Sequence, residues 1–114
     1  MLIGQSVIAP IAGAVYYSPW MPRQGDGFTA VVEVIADSGA AYTLKCDVET
    51  KNNESADSAV SGTIGSVTIT GPGAAVGEAT ALHCLELVRY KYTATGTALE
   101  WVHFRANPPI WQPN

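Results

Sequence analysis

The stretch Tyr42-Thr43-Leu44-Lys45-Cys46-Asp47-Val48-Glu49-Thr50-Lys51 decides the fold class. Tyr42, Leu44, Cys46 and Val48 fall on one face, while Thr43, Lys45, Asp47, Glu49 and Lys51 fall on the other. A strict period of two, apolar against polar, marks an antiparallel strand with one face in a core and one in water. Just upstream, Phe28 to Ala36 is β-branched and apolar, with Phe28, Ala30, Val32 and Val34 in register. Asp37-Ser38-Gly39-Ala40 between them has turn composition. Residues 28–51 therefore read as a hairpin.

Working outward, Asn52 to Ser58 is a polar loop, and Gly62 to Thr70 is a β-branched strand with Gly65 a candidate bulge. Gly71-Pro72-Gly73 closes that strand with a tight turn. Glu78 to Tyr92 is two-sided: Leu82, Leu85 and Val88 have helical spacing, whereas Val88 to Thr93 alternates. We read residues 80–94 as one long strand with a bulge near Cys84–Glu86. After a turn at Thr95-Gly96-Thr97, Leu99, Trp101, His103 and Arg105 share one face of a strand, and Glu100, Val102 and Phe104 the other. Residues 2–9 and a short piece near 13–17 bring the count to about seven strands. That number fits a single-domain antiparallel β-sandwich or small barrel spanning 1–114. No repeat is visible at any period of about 20 to 50 residues.

Composition agrees. Of 114 residues, 47% are hydrophobic and 14% charged, enough to bury a core and far from a disordered composition. Eleven glycines and seven prolines argue against a helix bundle. Six Lys and Arg against ten Asp and Glu give a net charge of −4, which weighs against a nucleic-acid partner. No apolar run approaches the roughly 18 residues of a membrane-spanning helix. In residues 1–22, Gln5, Ser6 and Pro10 interrupt the apolar run and the first Lys or Arg is Arg23. The segment reads as a first strand rather than a secretory signal. Cys46 and Cys84 are accordingly expected to be free thiols.

Candidate chemistry is sparse. Gly71 to Gly77 follows a strand, but its G-x-G-x-x-x-G spacing is not that of a phosphate loop, and we read it as a plain turn. His83 and Glu86 fall on opposite strand faces, as do His103 and Glu100, and no nucleophile signature accompanies them. Six acids, Glu33, Asp37, Asp47, Glu49, Glu54 and Asp57, gather in one region. Asp47, Glu49, Asn52 and Glu54 offer oxygen ligands, yet Lys45 and Lys51 share the face, so cross-strand ion pairs on a solvated surface explain the pattern with less. Two cysteines and two distant histidines lack zinc spacing. We expect no enzyme, no metal and no cofactor.

The most unusual feature is the pairing of aromatics with proline in two arms, residues 10–22 and 107–114. Tyr16-Tyr17-Ser18-Pro19-Trp20-Met21-Pro22 and Asn107-Pro108-Pro109-Ile110-Trp111-Gln112-Pro113 hold two of three tryptophans and five of seven prolines. Proline excludes such segments from central strands, and Trp, Tyr and Met are enriched at interface cores. Tyr16, Tyr17, Trp20, Met21, Ile110 and Trp111 are thus candidate contact residues. The expectation is a structural, self-assembling homo-oligomer: a virion subunit such as a head-decoration or tail protein, or part of another particle. Its partners would be copies of itself or other structural subunits, at a virion or in a cytoplasmic assembly. A small carbohydrate- or ligand-binding module is the alternative. Burial of both arms within their own subunit would weaken the assembly reading.

Overall fold

A computed structural model describes residues 7–10, 14–39, 41–52, 63–96 and 101–112. Ten strands run in chain order: β1 (Val7–Pro10), β2 (Ala14–Tyr17), β3 (Met21–Pro22), β4 (Gly27–Asp37), β5 (Tyr42–Lys51), β6 (Thr63–Thr70), β7 (Ala75–Leu82), β8 (Leu87–Gly96), β9 (Trp101–Ala106) and β10 (Ile110–Trp111). They form two antiparallel sheets packed face to face as a β-sandwich. Sheet A has the order β1-β9-β4, with β7 on the far side of β4 and β10 beside the first half of β4. Sheet B has the order β2-β8-β5-β6, with β3 also on β8.

The alternating faces meet in the middle. Phe28, Ala30, Val32 and Val34 of β4 and Val102, Phe104 and Ala106 of β9 face Tyr42, Leu44, Cys46 and Val48 of β5 and Val88, Tyr90, Tyr92 and Ala94 of β8. All are buried, at about 25 cal/mol for each Å² of apolar surface removed from water. A file of rings runs through this core. Trp111 lies 4.7 Å from Phe28, Phe28 6.0 Å from Tyr90, Tyr90 6.0 Å from Tyr92, and Tyr92 5.3 Å from Phe104. These tilted and edge-on contacts suit aromatic quadrupoles.

Two expectations are corrected here. Residues 28–51 are not a hairpin: β4 belongs to sheet A and β5 to sheet B. The link bonds outward instead of across itself. The Ser38 amide donates to the Trp101 carbonyl, and the Asp37 carboxylate accepts from the amides of Gly39 at 2.6 Å and Gly73 at 2.8 Å. Gly39 (φ 94°) and Gly73 (φ 115°) take up left-handed conformations that suit glycine. One carboxylate thus ties the start of the link after β4, at Gly39, to the 71–74 arch that carries the chain from β6 to β7. Among the described strands, the hairpin partner of β5 is β6.

Residues 80–94 are likewise not one strand. β7 ends at Leu82 in sheet A and β8 begins at Leu87 in sheet B. His83 sits at φ 65°, a left-handed corner uncommon outside glycine, asparagine, aspartate and histidine. The Thr50 hydroxyl holds the corner, accepting from the Leu85 amide and donating to the Leu87 carbonyl. The plain turn expected over 71–77 is shorter than that, because the chain is again strand from Ala75. The bulge expected at Gly65 corresponds to a register shift in the β5–β6 ladder, where Val48 faces Gly65 and Glu49 faces Thr63.

Candidate interaction surface

The two proline-rich arms are built into the sandwich. In the first, β2 pairs with Lys91 to Ala94 of β8 and β3 with Leu87 and Val88. Pro19 breaks the strand between them, since proline has no N–H for a ladder. Ser18 bridges the break: its amide donates to the Tyr90 carbonyl at 2.9 Å, and its hydroxyl accepts from the Tyr90 amide at 2.8 Å. A buried side chain here does the work of a backbone carbonyl. The second arm repeats the device on sheet A. Around Pro108-Pro109, Asn107 donates to Val31, Ile110 and Trp111 pair with Thr29 and Phe28, and Gln112 donates to Gly27.

The aromatics follow their backbones. Tyr16, Met21 and Trp111 pack against the core of their own chain. Trp20 is half-buried on the outer face of sheet B, with the Arg89 guanidinium 4.4 Å and the Lys51 ammonium 4.9 Å from its ring centre. Arg89 also lies 4.2 Å from the Tyr17 ring and donates to Glu49 at 2.8 Å. Lys51 is buried although it stands on the charged face of β5, because its hydrocarbon stem and charge lie under Trp20. Of the six candidate contact residues, Tyr17 and Ile110 are the two left exposed.

The acidic face pairs in part as expected. Lys45 and Asp47 lie 3.7 Å apart, Ser66 donates to Asp47, and Arg105 pairs with Glu33 across sheet A. The Glu49–Arg89 pair is largely sheltered rather than solvated. Glu54, Asp57 and Glu100 lie outside the described residues. His83 Nδ1 lies 3.1 Å from Asp26 Oδ2, a pairing that strand alternation hides because the His83 corner and the 23–26 loop bring it together. Both side chains are exposed. The neighbouring Cys84 is buried, and burial raises its thiol pKa. Cys46 is also a free, buried thiol, raised first by desolvation and then by the Asp47 carboxylate. Neither presents an activated nucleophile. Among the described residues, no three His, Cys, Asp or Glu side chains stand together as a metal site. No helix among them is long and apolar enough to cross a membrane.

Apolar exposure concentrates elsewhere. Among the described residues, seven large hydrophobic side chains are exposed, and five are in sheet A: Ile35, Val76, Leu82, Trp101 and Ile110. Val76 is 67% and Ile110 62% exposed. An open groove of about 530 Å³ crosses this region, lined by Glu33, Ile35, Ala75, Val76 and Arg105 among others. A sequence signal is available for Trp101, which alternates with the buried Val102 and Phe104. Comparison of the chain with family models, curated proteins and solved structures finds no match in any of the three.

Proposed function

We propose that the protein is a structural, self-assembling subunit, of a virion such as a head-decoration or tail protein, or of another protein particle. The observation that carries this reading is the outer face of sheet A. Five large apolar side chains are exposed there, alongside the Glu33–Arg105 pair, Glu78 and Thr80, whereas the outer face of sheet B exposes two, Val15 and Tyr17, beside its own Arg89–Glu49 pair and Trp20. A surface that mixes exposed apolar and polar groups suits burial against another protein. The arms, folded onto their own sheets, support the reading only through the exposed Ile110. It rests on sheet A instead. The carbohydrate alternative loses support for a related reason: cations of the same chain lie over Trp20, and Trp111 lies against Phe28.

Sedimentation velocity over a concentration series, together with co-sedimentation on particles from the protein's source, tests the proposal. Self-association or particle binding is expected. A strict monomer at high concentration without affinity for such particles sinks it.

A further inference from the structure

The sandwich has two long sides, and they are finished differently. On one side the edge strands are β1, β2 and β3, of four, four and two residues. Pro10 and Pro22 lie in two of them and Pro19 interrupts the line, so among the described residues this edge is poor in free amides. On the other side the edge strands are β6 and β7, eight residues each. They contain no proline and, between them, one charged residue, Glu78. Among the described strands, β6 pairs only with β5 and β7 only with β4. A long edge with a single charge and no proline is a template for another strand.

On the assembly reading above, we infer that this edge pairs with the same edge of a second copy, β7 against β7 in antiparallel register about a two-fold axis at Ala79. The outward residues of β7 are Val76, Glu78, Thr80 and Leu82, all exposed. With the axis at Ala79, Val76 of each copy stands opposite Leu82 of the other, and Glu78 opposite Thr80. Each exposed apolar group gains an apolar neighbour, and the single charge meets a hydroxyl. Other registers fare worse. An axis at Glu78 sets carboxylate against carboxylate, which opposes pairing. An axis at Thr80 leaves Val76 beyond the end of the partner strand and sets Glu78 against Leu82.

The second edge strand follows the first. A side-chain carbon at Gly77 would touch Val67 and Ile69, and one at Gly65 would touch Ala81, so residues 65–69 of β6 lie over residues 77–81 of β7. An axis at Ala79 therefore runs close to Val67 and brings the uncharged β6 strands of both copies side by side. The contact is isologous and closes as a dimer.

Opposed charges test the register. V76K/L82K places lysine against lysine twice, whereas V76K/L82E places lysine against glutamate twice at the same positions. T80E independently sets glutamate against Glu78. Sedimentation velocity should show a dimer for wild type and V76K/L82E, and monomer for V76K/L82K and T80E, with far-UV circular dichroism unchanged. Association that persists in V76K/L82K and T80E, or is lost equally in V76K/L82E, overturns the edge pairing while leaving the assembly reading intact. A monomeric wild type that binds particles does the same, and one that binds nothing overturns both.

Discussion

Two pairs of segments in this protein invite opposite readings. The arms at 16–22 and 107–112 are aromatic and proline-rich, and look made for contact. β6 and β7 are plain runs of Thr, Val, Ala, Ile and Gly, broken only by Ser66, Glu78 and Leu82. Yet the arms are seated on their own sheets, while the plain strands line the open side of the sandwich. Composition reports what a side chain can bury against; unpaired backbone reports what another strand can add to. Proline removes a donor and so tends to close an edge, even where it travels with sticky rings.

The largest test of this contrast is Phe28→Ala. Its ring supports Trp111 on one side and Tyr90 on the other. Truncation should cost about 3–5 kcal/mol in urea unfolding. A loss below about 1 kcal/mol would show that the C-terminal arm is not anchored in the core. On the opposite pair, Gly77→Val drives a methyl group into Val67, whose Cγ1 would stand 2.6 Å from the new Cβ. Pushing β6 and β7 apart should cost about 1–3 kcal/mol. Ser18→Ala tests the bridge across the broken strand. It leaves the Tyr90 amide without its acceptor, and should cost about 1–2 kcal/mol and speed hydrogen exchange at that amide. Unchanged exchange would show that the arm does not depend on Ser18.

The smallest expected effect falls between the two regions. The hydroxyls of Tyr90 and Tyr92 are buried without a hydrogen-bond partner among the described residues. Burial also drives both phenols toward the neutral form. Tyr92→Phe removes an unsatisfied polar atom and should change thermal stability by no more than about 0.5 kcal/mol, or raise it. A clear loss would reveal a partner for that hydroxyl.

Much of the fold was legible because alternation names a strand's buried face. Residues 28–34 and 42–48 bury the faces their sequence indicates, and the alternation read over 101–105 buries Val102 and Phe104. Alternation does not say which sheet that face lines. A hairpin and a crossing arch between Val34 and Tyr42 bury the same residues, so only the bonds made by Asp37 and Ser38 separate them. β7 was hidden for a different reason. Its Ala and Gly residues have weak strand propensity, and the small ones at 77, 79 and 81 are inward positions close beneath β6. The covering of Lys51 and Arg89 by the first arm joins residues about 30 to 70 positions apart, which no local pattern encodes. Of the exposed apolar side chains on sheet A, Ile35 and Trp101 lie on strands legible in the sequence, whereas Val76 and Leu82 lie on the hidden β7.

The pairing order also bears on when the molecule comes into being during synthesis. β5 with β6 is the one ladder among the described strands that joins consecutive strands. β4 emerges early but waits for β7, β9 and β10, and β2 and β3 wait for β8. Such distant pairing is slow, on the order of milliseconds to seconds for β-rich domains. It also means that a chain cut before β9 cannot complete sheet A, because β9 and β10 both pair with β4. A nascent or clipped chain therefore lacks the finished scaffold on which β7 is displayed. The topology itself separates chains that carry β9 and β10 from fragments that lack them.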